Sequence, residues 1–396
     1  ILSMAGDKQN RIWARSRKEG IYIIEGDRVR NVSTVNNLPD NNIYKITVDS
    51  DGNIWMGTGG GVSKLGKKPF EIFDVESGIP GKDVLCTCVD RNGTVWGGGY
   101  SGPFRISREG AVQTFSAKDG LDPDYLTVNS IVSDHDNNLW FGTYLGITGF
   151  TGRRFRTYSN PLWAKDQHTS YAVYDIAIDR QNKLVLAGDD GLCEFYKGIY
   201  FFSDDYRKVA DQDIRAIEFD SDNNLWICTS EGVHVWGKQA LTLTSLHGLS
   251  NNSCNDIFLD ASGLAWIATD NGLDKVMLRA DGSFSISSLT VADGLLSNSI
   301  MFVTGDKKGD IWIGHEKGLS RLLKESGRII TYTAADGFTP MDTYVKAVSV
   351  DDNNNIWIGT IAGLVKYDPR LDQPQPDPPR LYITRVKFYN DTSDLA

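Results

Sequence analysis

Long apolar runs are missing from this chain. None of its 396 residues lies in a stretch near the ~18 consecutive apolar residues that a bilayer-spanning helix needs, so the sequence predicts no membrane contact of its own. Basic runs are missing too. The formal net charge is −10, and Lys and Arg cluster no further than short pieces such as Arg153-Arg154. Phosphate backbones and anionic lipid surfaces need clustered cations, which excludes nucleic acid as a partner. Cysteine is scarce: Cys86, Cys88, Cys193, Cys228 and Cys254 are odd in number and irregular in spacing. That is no disulfide framework, and no CxxC or paired-His spacing suggests zinc. The cysteines read as small core residues, and neither a metal nor a cofactor is expected. The five His, at 135, 168, 234, 247 and 315, fall at unrelated positions. Sustained 3.6-residue periodicity is absent, so helix should be nearly absent. Ile1 is not an initiator Met and no signal peptide is visible, so the chain reads as an excised piece.

What the chain does have is a repeat. An Asp stands six residues before a Trp position nine times: Asp7, Asp49, Asp90, Asp134, Asp179, Asp220, Asp260, Asp306 and Asp351. The Trp position reads Trp13, Trp55, Trp96, Trp140, Val185, Trp226, Trp266, Trp312 and Trp357. These define repeats one to nine, with a mean spacing of 43 residues. Three residues before the Trp position every repeat carries Gly or Asn, from Asn10 and Gly52 to Gly309 and Asn354. Those residues enter the left-handed region cheaply, which marks a tight β-hairpin turn, and the Asp ahead of it can accept from turn N–H groups.

Short β-rich runs such as Ile43–Val48, Ile214–Phe219 and Val345–Val350 precede each Asp. After the turn come Ile-Trp-Ile-Gly-Thr or a variant, then a strand opened by Gly, then a fourth such as Phe70–Phe73. Four short antiparallel strands per repeat predict an all-β fold, a β-propeller of nine four-stranded blades over residues 1–370. The Trp side chains are expected to wedge between blades. Small residues two positions later, such as Gly142, Ala187, Cys228 and Gly359, should let sheets approach closely.

The pattern D-x-x-G/N-x-I/L-W-I-G-T-x-x-G-L, with Gly248-Leu-Ser-Asn-Asn252 ahead of one copy and Asn355-Ile-Trp-Ile-Gly-Thr360 inside another, resembles the two-component-regulator propeller repeat. Residues 371–380 form a Pro-rich linker. Residues 381–396 look like the first strand of the β-sandwich, rich in three-Tyr motifs, that follows such propellers. The resemblance implies the periplasmic sensor region of a membrane histidine kinase, often a hybrid one of the Bacteroidetes type. The parent receptor would be a homodimer and many of its kind respond to oligosaccharides. A single nine-bladed ring is the arrangement favoured. The alternative is a seven-bladed ring preceded by two blades of another. Repeat nine supplies only three strands, and residues before Ile1, or Leu381–Val386, are candidates for its fourth.

The repeat Trp, Gly and Asp read as structural, so function should lie where copies differ, on the loops around the channel mouth. From those loops the candidate ligand contacts are Arg15, Arg17, Tyr100, Tyr144, Asp189, Asp190 and His315. Trp163 and His168, in a long inter-blade stretch beside the repeat that lost its Trp, join them. No catalytic residue is assigned. Aromatics that stack on sugar rings and polar groups that fix hydroxyls suit a small soluble ligand, an oligosaccharide first. Two readings compete with a non-catalytic sensor: a propeller enzyme, lyase or glycoside hydrolase, and a protein-interaction platform.

Overall fold

The hairpin turn inside each repeat adopts the conformation its residues require. Asn10, Gly93, Asn137, Asn182, Asn223, Gly263, Gly309 and Asn354 all have φ between 60° and 83°. The recurrent Asp does two jobs there. In repeat four, Asp134 Oδ1 accepts from the backbone of Asp136 (2.9 Å) and Asn138 (2.8 Å), while Oδ2 accepts from Trp140 Nε1 (2.9 Å). The carboxylate-to-indole bond recurs in all eight repeats that have the Trp, at 2.8–3.2 Å. Burying an indole leaves its N–H in need of a partner, and the turn Asp supplies it. The turn Asn does a third job. Asn137, Asn182, Asn223 and Asn354 each accept, through Oδ1, from a backbone N–H in the preceding repeat's turn at 2.7–2.9 Å.

This computed structural model describes residues 3–7, 10–26, 28–36, 38–49, 53–65, 68–159, 172–189, 191–203, 212–238, 240–316, 318–338, 343–372, 386–388 and 391–393. Among them the regular structure is strand, apart from single 3₁₀ turns. The chain divides into two compact units, residues 1–68 and 69–396. In the first, Ser3–Gly6, Ile12–Arg15, Ile21–Glu25 and Arg28–Val32 form a four-stranded sheet, and Ile43–Val48, Ile54–Thr58 and Gly61–Leu65 a three-stranded one. Trp13, Ile21, Ile23, Leu38, Ile43, Ile54 and Met56 form its core.

The second unit holds seven four-stranded antiparallel sheets. Their inner strands are Cys86–Val89, Val128–Ser133, Val173–Ile178, Ile214–Phe219, Cys254–Leu259, Phe302–Gly305 and Thr343–Val350. Each lies beside the next, and the last lies beside the first. Trp226 packs in one core with Val276 of repeat seven, and Trp357 of repeat nine packs with Phe104 and Ile106 of repeat three. The small position after the Trp has the expected purpose: a Cβ on Gly142 would stand 2.9 Å from Val173 Cγ1, and one on Gly359 would stand 2.3 Å from Val84 O.

All nine repeats therefore form sheets, and seven of them close on themselves. This is the second arrangement the sequence allows, not the single nine-bladed ring. The reason is the placement of one strand. Phe70–Phe73 pairs not with repeat two but with Gly363–Tyr367 of repeat nine, in the register Phe73↔Leu364 to Phe70↔Tyr367. It supplies the strand that residues before Ile1, or Leu381–Val386, were expected to provide. Its Phe70 ring packs on Tyr332, Phe338 and Tyr367, and its Phe73 on Trp357. Asp368 N donates to Pro69 O beside it (2.7 Å).

Where the chain leaves the ring, Asp372 Oδ2 accepts from Tyr367 Oη (2.6 Å) and Tyr332 Oη (2.7 Å). Arg321, paired with Asp310 at 2.8 Å, reaches the same carboxylate. Residues 373–385 lie outside the described residues. Beyond them Val386–Phe388 pairs with Asp391–Ser393 as a short hairpin, where one strand was expected.

Candidate functional site

Antiparallel pairing places the start of each inner strand beside the end of the second strand, as in Val173↔Gly188. The turns after the second strands thus share one end of the ring with the segments arriving from the previous blade, and the hairpin turns occupy the other. Between the inner strands lies a cavity of ≈ 370 Å³. A Thr hydroxyl holds several of the mouth turns: Thr143, Thr229, Thr269 and Thr360 each donate to the carbonyl of the Gly three residues on, at 2.9–3.0 Å or 2.8 Å.

At the mouth the inner strands are not regular. Register shifts fall between Val128 and Ser130, Val173 and Asp175, Ile214 and Ala216, and Cys254 and Asp256. Each is a one-residue bulge, a device that re-aims a side chain, and the bulged residues are Asn129, Tyr174, Arg215 and Asn255. They form a polar arc with the neighbouring turns. Tyr174 Oη donates to Asp189 Oδ1 (2.6 Å), and Asp189 Oδ2 accepts from Ala172 N (3.2 Å). Arg215 pairs with Asp213 (3.1 Å) and donates to Ser253 Oγ (2.9 Å) and Asn255 Oδ1 (2.6 Å). Asn255 Nδ2 donates to Asp270 Oδ1 and to Ile300 O, both 2.8 Å. Partial burial raises the Tyr174 phenol above its ordinary value, with the Asp189 hydrogen bond and charge adding to it. The ring remains 40% exposed, and Tyr100 and Tyr144 on the flanking turns are 51% and 41% exposed.

Deeper in the channel sit one cation and three carboxylates. Lys346 Nζ donates to Asp175 Oδ2 and to Ile217 O (2.8 Å). Asp175 also accepts from Ile176 N (2.8 Å), Ser130 Oγ (3.3 Å) and Ile217 N (2.7 Å). Asp256 accepts from Ile257 N and Val303 N, both 2.9 Å. Each Asp thereby bonds the inner strand of the following blade. Burial pushes Asp256 up to about 7 and Glu218 up to about 8, and Lys346 offsets only part of that. For Lys346 burial acts downward, but Asp175, Asp256 and Glu218 outweigh it and hold the ammonium charged.

The mouth thus brings together Tyr100, Tyr144 and Asp189 from the predicted set, each on the turn after a second strand. His315 ends the second strand of repeat eight, where other repeats place the Thr that holds the turn, and is not presented to the mouth. It is fully buried, with Nε2 on Ser320 Oγ (2.9 Å) and Nδ1 facing Ser299 O (3.4 Å), and burial lowers its pKa to about 4. Arg15 and Arg17 belong to the first unit, where Arg15 donates to Ile43 O and Arg17 is exposed. Trp163, His168 and Asp190 lie outside the described residues. Sequence reasoning missed Tyr174, Arg215, Asn255 and the channel cluster. The signal was present: eleven residues before the Trp position, repeats four to seven and nine read Asn129, Tyr174, Arg215, Asn255 and Lys346, polar residues or Tyr within β-rich runs.

The two component regulator propeller family model matches residues 37–60, 123–145 and 208–231 of this chain. Among solved structures the chain is similar over its whole length to the extracellular domain of a proposed hybrid two component system of B. thetaiotaomicron, at 24% identity and TM-score 0.77. A second extracellular domain from that organism, of a proposed one component system, matches at 20% and 0.62. The chain spans 56% of each of those structures. Virginiamycin B lyase from Staphylococcus aureus shares the propeller fold over 75% of this chain and 97% of its own, at 12% identity and TM-score 0.58. No curated protein matches the chain. Among the described residues no helix is long and apolar enough to cross a membrane.

Proposed function

We propose that this chain is an extracytoplasmic ligand-sensing domain of a two component signalling receptor. It binds a small soluble ligand, an oligosaccharide first, over the channel mouth of the seven-bladed ring. It passes the resulting change through the C-terminal sandwich to a cytoplasmic histidine kinase, in a receptor that is periplasmic at this end and homodimeric. The repeat family and the two extracellular domains of similar fold support the sensing role. The observation that carries the choice of ligand is the mouth itself. Three half-exposed tyrosines stand at this end of the ring, one of them bonded to the Asp189 carboxylate, with the Arg215 guanidinium fixed by its own neighbours. Aromatic faces stack on sugar rings, and preorganised polar groups bond hydroxyls at low entropic cost. The ligand must prefer one of two states of the domain, since only differential affinity shifts a population.

A thermal-shift screen of this chain against a panel of oligosaccharides tests the proposal. A ligand at 100 times its Kd stabilises by about 2.7 kcal/mol, a measurable melting shift. One glycan class should shift the melt, undergo no turnover, and lose its effect in Tyr174→Ala. A shift untouched by Tyr174→Ala and Tyr144→Ala would remove the mouth as the site. Consumption of the glycan would replace the sensor with an enzyme.

A further inference from the structure

Lys346 is unlike the other bulge residues in three respects. First, its bulge is wider. In repeat nine the steps from Thr343 to Val348 number five against two from Thr360 to Ile358. In repeat five the steps from Val173 to Ile176 number three against two from Gly188 to Leu186. Second, Lys346 sits at φ 61°, in the left-handed region, where Tyr174, Arg215 and Asn255 do not. A Lys gains nothing from that conformation by itself, and such backbone persists only where its surroundings hold it. Third, its side chain leaves its own blade and crosses the channel, ending on Asp175 of repeat five and Ile217 O of repeat six.

Asp175 is a junction. Besides Lys346 it holds Ser130 of repeat four and Ile217 N of repeat six. It is also the residue next to Tyr174, across the same bulge, and Tyr174 is fastened to Asp189 at the mouth. Anything that moves Tyr174 or Asp189 therefore acts on the carboxylate that captures Lys346. At the other end of the pair, repeat nine carries Gly363–Tyr367 and its exit contact from Tyr367 to Asp372. The groups facing Lys346 are Asp175, Glu218 and Asp256, and the facing strands of repeats three, four and eight contribute Cys86, Thr87, Asn129, Ser130 and Thr304 but no charge.

We propose that Lys346 is a displaceable pin that couples the mouth at repeat five to repeat nine, the blade from which the chain leaves the ring. While Asp175 holds the ammonium, repeat nine keeps its widened, left-handed bulge. When the strand Val173–Ile178 shifts at the mouth and Asp175 withdraws, Lys346 loses its ion pair and keeps only the Ile217 carbonyl as a hydrogen-bond partner, and the inner strand of repeat nine relaxes. The two arrangements of the bulge are the two states that a sensor needs. The proposal rests on the mouth being the ligand site.

Hydrogen exchange on the whole chain, without ligand, tests the coupling. Asp189→Ala releases both Tyr174 Oη and Ala172 N. It should raise exchange in peptides covering residues 346–367 by about tenfold, a change of ~1.4 kcal/mol in opening free energy. In the Lys346→Met background the same substitution should change those peptides less than about twofold, while Lys346→Arg should restore the response. If Lys346→Met does not fold, Asp175→Asn serves as the second way to break the pair. Equal effects of Asp189→Ala with and without the pair, or no effect on residues 346–367 in the wild type, would overturn the pin. Because no ligand enters, this outcome is separate from that of the glycan screen.

Discussion

The repeated Trp illustrates how one residue serves two masters. Its ring fills the space between blades, and its N–H is bonded to the Asp that builds the hairpin turn of its own blade. Trp226→Ala should destabilise the ring by about 3–5 kcal/mol, as large buried truncations do, read as a lower urea midpoint. Asp220→Ala keeps the ring but orphans a buried indole N–H and two turn N–H groups, so a loss of about 1–3 kcal/mol is expected in the same measurement. The turn and the Trp were both legible in the sequence because each follows from local chemistry at a fixed spacing. The bond between them was not, since the Asp already had a sufficient reason to be there. His315 went the other way. Its place in a variable turn suggested a ligand contact, but nothing local says that its ring is turned inward onto Ser320.

At the scale of the strand, the sequence shows where strands are but not which sheet they join. Phe70–Phe73 has the propensity and spacing of a fourth strand for repeat two. Its apolar and aromatic residues fit either sheet edge, and the choice is made by Tyr332, Phe338, Tyr367 and Trp357, nearly three hundred residues later. Phe70→Ala should cost the ring about 3–5 kcal/mol. Circular dichroism melts should show the loss in the transition of residues 69–396 and leave that of residues 1–68 in place. The bulges were illegible for a related reason: a one-residue insertion leaves alternation intact on either side, so only the comparison of nine copies exposes it. The channel strands also give a pH dependence. Glu218 and Asp256 hold protons in the folded ring up to about 8 and about 7, whereas the unfolded chain releases them near pH 4. The folded state therefore binds more protons between those limits, and stability should fall as pH rises from about 4 to 8. Urea midpoints measured between pH 5 and 8.5 should show this slope, and Glu218→Gln should flatten its upper part.

For the whole molecule, closure by a strand that precedes the ring's first blade fixes what can be removed. A chain beginning at residue 69 should fold with the seven blades intact, since the closing strand and its partner are both present. A chain beginning at residue 75 lacks that strand and should expose the edge of Gly363–Tyr367, with loss of cooperativity in urea and association at high concentration as the readout. The same feature sets a clock. Phe70 pairs with Tyr367, so the closing strand begins 297 residues before its partner residue is made. At ~5–20 residues per second of synthesis, it waits roughly 15–60 s with nowhere to go. Through that interval Phe-Glu-Ile-Phe is an unpaired β-segment, and Glu71 is its one charge against sticking to something else. The birth of this ring is a race between the ribosome and aggregation, decided at four residues.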